Sequence, residues 1–147
     1  MKCKDVMTQN PKCCTTSASA QEAAQFMKEE NIGIVPVLDE KTQKLVGVVT
    51  DRDLCLGVVA GGKNPNEVKA SEYMSKNPFT CRTEDDIQKA EEHMKKHQIG
   101  RIPVVDQNGL CIGIISQADI ALKGGQPKEV FETVREISKR SARAQAA

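Results

Sequence analysis

The chain of 147 residues matches itself when displaced by 67 positions, and this internal repeat limits its possible folds more than any other feature. Met7 aligns with Met74, Asn10-Pro11 with Asn77-Pro78, Thr16 with Thr83, Ala23 with Ala90 and Met27 with Met94, and the run IGIVPVLD (32–39) aligns with IGRIPVVD (99–106). Beyond Asp39 the displacement becomes 66, because EKTQKLV is one residue longer than QNGLCI before a shared glycine. Gly47 then pairs with Gly113 and Asp53 with Asp119. A single-residue insertion is best tolerated in a surface loop, so the two β-prone runs on either side of it read as a hairpin. A repeat this short cannot cover both faces of its own sheet, so pairing of the copies has to supply what each lacks.

Each copy carries the same order of local signals. SAQEAAQFMKEEN predicts a helix, with Ser19 and Glu22 at capping-box spacing and Ala23, Phe26, Met27 and Ile32 forming an apolar stripe. The second copy starts its helix near Asp85 or Asp86. Two β-rich runs follow, 34–38 and 45–50, matched by 102–105 and 111–116. Thr50 and Ser116 stand where strand gives way to helix, a place that favours hydroxyl N-caps, and DRDLCLGVVA and QADIALK are the following helices. The reading is a mixed α/β (α+β) chain of two β-α-β-β-α repeats: residues 1–60, a Gly/Asn/Pro-rich linker over 61–70, and residues 71–123. Residues 124–147 add a C-terminal amphipathic helix with Val130, Val134 and Ile137 at helical spacing and a basic tail.

Composition excludes several functions. Twenty-one Lys and Arg balance twenty Asp and Glu to a net charge of +1, so no global field attracts nucleic acid or an anionic membrane. Lys139, Arg140 and Arg143 are too few for a nucleic-acid footprint, and with no Trp, one Tyr and three Phe there is no stacking platform for single strands. MKCKDVMTQN lacks the apolar stretch of a signal peptide and no run reaches the length of a membrane span, so a cytoplasmic protein is expected. The six cysteines (3, 13, 14, 55, 81 and 111) contain no C-x-x-C and read as reduced thiols, Cys14 and Cys81 as small buried hydrophobes rather than redox or metal groups. No nucleophile–base pair or Gly-rich phosphate loop stands out, so neither catalysis nor catalytic residues are expected. His93 and His97 share a helix, but two ligands do not close a zinc site, and no metal is expected.

The tandem pattern, IG-x-[IV]-P-V-[LV]-D followed by G-[VI]-[VI]-[TS]-x-x-D, resembles the cystathionine-β-synthase (CBS) domain pair, or Bateman module, over residues 3–123. TDRDLCLGVVAGGKNPNEVKASEYM is further similar to small stand-alone prokaryotic CBS-pair proteins, some linked to stress or hypoxic responses. The resemblance implies two repeats packed about a pseudo-twofold axis, a homodimer, and a regulatory sensor of an adenosine ligand: AMP, ADP, ATP or S-adenosylmethionine. It implies that Asp53 and Asp119 accept the ribose hydroxyls, with Thr50 and Ser116 contacting ribose or phosphate. A carboxylate has two acceptor oxygens for two adjacent hydroxyls, which makes the chemistry reasonable. It further implies that Arg101 serves the Asp53 set and Arg52 the Asp119 set, one guanidinium each, and that Thr16 and Thr83 lie near base and ribose. The alternatives on the residues themselves are a capping or first-turn role for the Asp and Thr/Ser pairs and surface ion pairs for the arginines. At the level of the whole chain they are a ligand-free protein-interaction scaffold, or a nucleic-acid-binding or metal-linked stress protein. The downstream partner is unknown.

Overall fold

The computed structural model describes residues 1–146, with side chains as far as Lys139. Arg140 and Arg143 therefore lie outside the described side chains. The elements in order are α1 (Cys3–Val6), β1 (Thr8–Gln9), β2 (Cys14–Thr15), α2 (Ala20–Glu30), β3 (Ile34–Leu38), β4 (Leu45–Thr50), α3 (Asp51–Leu54), β5 (Ser75–Lys76), β6 (Cys81–Arg82), α4 (Ile87–His97), β7 (Arg101–Val105), β8 (Cys111–Ser116), α5 (Gln117–Lys123) and α6 (Pro127–Ala146). The α+β class expected from the pattern is the class observed, with two four-stranded sheets.

Local chemistry sets the boundaries. Ser19 caps α2, its hydroxyl accepting from the Glu22 amide (3.1 Å), and Asp86 caps α4 by accepting from Gln88 (3.1 Å). Both helices end on a left-handed residue, Asn31 (φ 52°) and Gln98 (φ 55°). After α3 the helix widens into one π-type turn, closed by the Ala60 amide on the Cys55 carbonyl (2.9 Å). The connector beyond it is tied to the start of α2, since Ala20 donates to Val68 and Gln21 to Pro65.

The compact units are not consecutive stretches of chain. One contains residues 11–78 and 108–111; its sheet runs β2-β3-β4-β5, with β2 parallel to β3 and the rest antiparallel. The other contains residues 1–10, 79–107 and 112 onward, and its sheet runs β1-β8-β7-β6. The N-terminal lead-in, placed with the first repeat by sequence order, thus pairs with the second: Thr8 stands opposite Ile114 and Gln9 opposite Gly113. Reciprocally, the lead-in of the second copy pairs with the first, Ser75 opposite Val48 and Lys76 opposite Gly47.

Each unit has its own core. Cys14, Ala23, Met27, Val35, Val37, Val49, Leu54 and Val58 pack together in one. Cys3, Val6, Cys81, Ile87, Ala90, Met94, Ile102, Val104, Ile115, Ile120 and Ile137 do so in the other, where α6 lies on α4 and α5. The C-terminal helix therefore packs on its own module, and Ile137 of its apolar stripe is buried there. Burying each Val, Leu, Ile or Met among them contributes about 1.5–3 kcal/mol before entropy is counted.

The motif glycines answer a packing need. A Cβ on Gly113 would lie 2.3 Å from the Met7 sulfur, and one on Gly47 would lie 2.4 Å from the Met74 sulfur. A bare backbone leaves room for the lead-in methionine to cross the strand at that point.

Candidate functional site

The repeated Thr/Ser-x-x-Asp stretch forms the same device twice. At the end of β4 the Thr50 hydroxyl accepts from the Asp53 amide (3.1 Å), and the Thr50 amide donates to Asp53 Oδ2 (2.9 Å). At the end of β8 the Ser116 hydroxyl accepts from the Asp119 amide (3.1 Å), while Asp119 Oδ2 accepts from the Ser116 amide (2.9 Å) and hydroxyl (2.7 Å). These are reciprocal capping boxes, so the capping role foreseen for both pairs is observed. Each junction is pinned to the preceding IG motif: the Asp51 amide donates to Gly33 (3.1 Å), and the Gln117 amide to Gly100 (2.9 Å). Sequence spacing alone would let these carboxylates point anywhere; the box turns each toward the strand end.

A capping box uses one carboxylate oxygen and leaves the other, and here the copies differ. Asp53 Oδ1 has no partner among the described residues, and the group is half-buried. Asp119 Oδ1 is engaged by Lys123 Nζ (3.2 Å), which also donates to the Val6 carbonyl (3.2 Å). Burial pushes the Asp119 carboxyl up, but hydrogen bonds from the Ser116 hydroxyl and amide and from Lys123 outweigh it and hold the group below the ordinary aspartate value. The position equivalent to Lys123 in the first copy is Gly57, where a Cβ would lie 2.2 Å from the Tyr73 ring. One motif carboxylate is thus bordered by an ammonium, and the other's unit offers an aromatic ring at the matching place.

The remaining candidates fall as follows. Arg52 is exposed on the first turn of α3, next to Asp53. Arg101 is exposed at the start of β7, directly after the Gly100 carbonyl that receives Gln117, and so belongs to the unit of Ser116 and Asp119. Thr16 and Thr83 do not join these groups within their units. Thr16 follows β2, where Thr15 pairs with Leu38, whereas Thr50 pairs with Ile34 at the other end of β3. Four strand residues separate the two ends, about 13 Å at ~3.3 Å per residue. Thr83 likewise follows the Arg82–Val105 pair, at the end of β7 away from Arg101. The separation has a physical origin: β2 and β6 run parallel to β3 and β7, so their C-terminal ends reach the hairpin loop rather than the IG end.

Sequence reasoning missed the lead-ins. Val6 supplies a carbonyl to Lys123, and Thr8 stands on β1 beside β8, two residues from Ser116 by register. In the other unit Ser75 holds the matching place beside β4. The signal was present in the repeat, where Thr8 aligns with Ser75, but nothing local says that each hydroxyl pairs into the other copy's sheet. His93 and His97 spend their rings on Phe79, stacked at 5.5 and 3.6 Å between centroids.

Comparison with known proteins identifies the family of the two repeats. The family profile described as CBS domain matches residues 3–59 and 70–123. The uncharacterized protein YlbB of Bacillus subtilis is 36% identical over 137 residues, covering 93% of this chain and 91% of YlbB. The crystal structure of Hypoxic Response Protein I with two coordinated zinc ions superposes with TM-score 0.75 at 30% identity, over 85% of this chain and 100% of the other. The CBS domain pair of protein MJ0100, in complex with 5′-methylthioadenosine and S-adenosyl-L-methionine, gives TM-score 0.73 at 29% identity, over 82% and 93%.

Proposed function

This chain belongs to the CBS domain family, and we propose on that premise that it is a regulatory module of the cytoplasm that binds an adenosine-containing ligand and signals through the geometry of a homodimer. The observation that carries the reading is the open Oδ1 of Asp53, held in place by a capping box that already fixes the carboxylate through Oδ2. An ionised carboxylate with one oxygen anchored and one free is a ready acceptor for a ribose hydroxyl. The MJ0100 pair, at 29% identity, was crystallised with two adenosine compounds, which supports the same ligand class here. Arg52 and Arg101, both exposed, would give positive charge to a phosphate. Regulation further requires that the ligand bind two arrangements of the protein with different affinity, since equal affinity shifts nothing.

The test is calorimetric titration with AMP, ADP, ATP, S-adenosylmethionine and 5′-methylthioadenosine, on the parent chain and on Asp53→Ala and Asp119→Ala. At least one ligand should bind the parent, and Asp53→Ala should weaken it tenfold or more while the variant still unfolds cooperatively. Arg101→Ala should weaken AMP more than 5′-methylthioadenosine, which has no phosphate. The proposal fails if no adenosine compound binds the folded parent at millimolar concentration; the chain would then be a ligand-free interaction scaffold in which both motifs serve as helix caps.

A further inference from the structure

Four of the six cysteines meet in two pairs, and the pairs differ in access. Cys3 and Cys81 share a hydrogen bond inside a core, where they are 0% and 1% exposed. Cys13 and Cys111 also share a hydrogen bond, but both are only half-buried. Backbone register explains how residues so distant in sequence meet. The β1–β8 pairing opposes Thr8 to Ile114 and Gln9 to Gly113, and continues with the Asn10 amide on the Ile112 carbonyl (3.0 Å). One further step along this ladder reaches Pro11 and Cys111, and the Cys13 thiol, turned back onto the Pro11 carbonyl (3.3 Å), meets the Cys111 side chain.

We propose that Cys13 and Cys111 form a two-electron redox pair that closes to a reversible intramolecular disulfide. The Cys13 thiolate attacks one sulfur of an oxidised low-molecular-weight disulfide of the glutathione class. That S–S bond breaks, one thiolate leaves, and a mixed disulfide remains on Cys13. The Cys111 thiol loses its proton to solvent and attacks Cys13 Sγ, expelling the second low-molecular-weight thiolate. The protein dithiol is oxidised by two electrons, the small disulfide is reduced to two thiols, and a dithiol reductant reverses the step.

Cys13 is the attacking group because the hydrogen bond from Cys111, prevailing over burial, holds its thiol below the ordinary value. Its neighbour Cys14 is 4% exposed and pushed up to about 11, chiefly by burial, so it does not compete. The Cys3–Cys81 pair has the same proximity without access and serves as an internal control. The inference is independent of any ligand.

The test uses the full reduced chain, incubated with glutathione disulfide, quenched with N-ethylmaleimide and mapped by tryptic digestion and mass spectrometry. Six alkylatable thiols should fall to four, and peptide 13–28 should be found linked to peptide 102–123. The link should vanish in Cys13→Ser and persist in Cys14→Ser. In Cys111→Ser, a single glutathione should accumulate on Cys13, because the resolving thiol is gone. Six reactive thiols remaining in the parent, a link that survives Cys13→Ser, or Cys3–Cys81 as the product would each overturn the proposal.

Discussion

At the residue scale, Asp53 and Asp119 are one motif position in different company. Removing the Thr50 hydroxyl takes away a cap, and Thr50→Ala should cost about 1 kcal/mol in chemical denaturation whether or not a ligand exists. Asp119 adds a pH dependence. Its folded carboxyl lies below the ordinary aspartate value, so its stabilising contribution is fully present above that value and is lost as pH falls through the folded one. Asp119→Asn should therefore melt below the parent at pH 7, and the gap should narrow below pH ~4. A gap that stays constant down to pH 3 would show that the charge contributes nothing. These pairs and their spacing could be read directly from the repeat. The i,i+4 spacing of Asp119 and Lys123 on α5 is equally local, but the second partner of Lys123, Val6, comes from the far end of the chain and could not be read.

At the scale of elements, the methionine-over-glycine crossings and the α4–α6 contact decide stability. Gly113→Ala inserts a methyl against the Met7 sulfur and should cost about 1–3 kcal/mol. Much of that should return in Gly113→Ala/Met7→Ala, measured as a double-mutant cycle. Gly47→Ala should be rescued less by Met74→Ala, because its Cβ would also meet the Ser75 backbone carbonyl at 2.9 Å, which cannot move aside. On α4, Glu91 is 2% exposed and its Oε1 has no hydrogen-bond partner among the described residues. Burial, then the charge of Glu129 on α6, push its carboxyl up, with Lys95 opposing and Asp86 adding a little. A raised acid stabilises the fold most below the ordinary glutamate value, and that advantage is lost as pH rises through the folded value. Glu91→Gln should thus raise the melting temperature at pH 7, with the gain disappearing near pH 4. No gain at pH 7 would mean that Glu91 is neutralised or solvated there.

At the scale of the molecule, each unit takes strands from both repeats, which makes the repeat a poor guide to where it can be cut. Fragments 1–64 and 65–147 each lack strands that the other holds: β1 needs β8, and β4 needs β5. Neither fragment should unfold cooperatively alone, whereas the two mixed should recover the parent's far-ultraviolet circular dichroism and a single melt. Independent folding of 65–147 would contradict the exchange of lead-ins. The helix caps, the hairpins and the two Thr/Ser-x-x-Asp junctions, like the duplication itself, could be read from the residues alone, because each local feature rests on propensity or hydrogen bonds within a few residues. Packing of the whole chain adds the rest: which sheet each lead-in joins, that Thr16 and Thr83 follow their strands at the hairpin-loop end, that Lys123 also reaches the Val6 carbonyl, and that Cys13 meets Cys111. All of these depend on pairings between residues far apart in the chain. A repeat whose copies are nearly alike carries no local mark of whether a strand pairs with its own copy or with the other, and only the packing of the complete chain selects one.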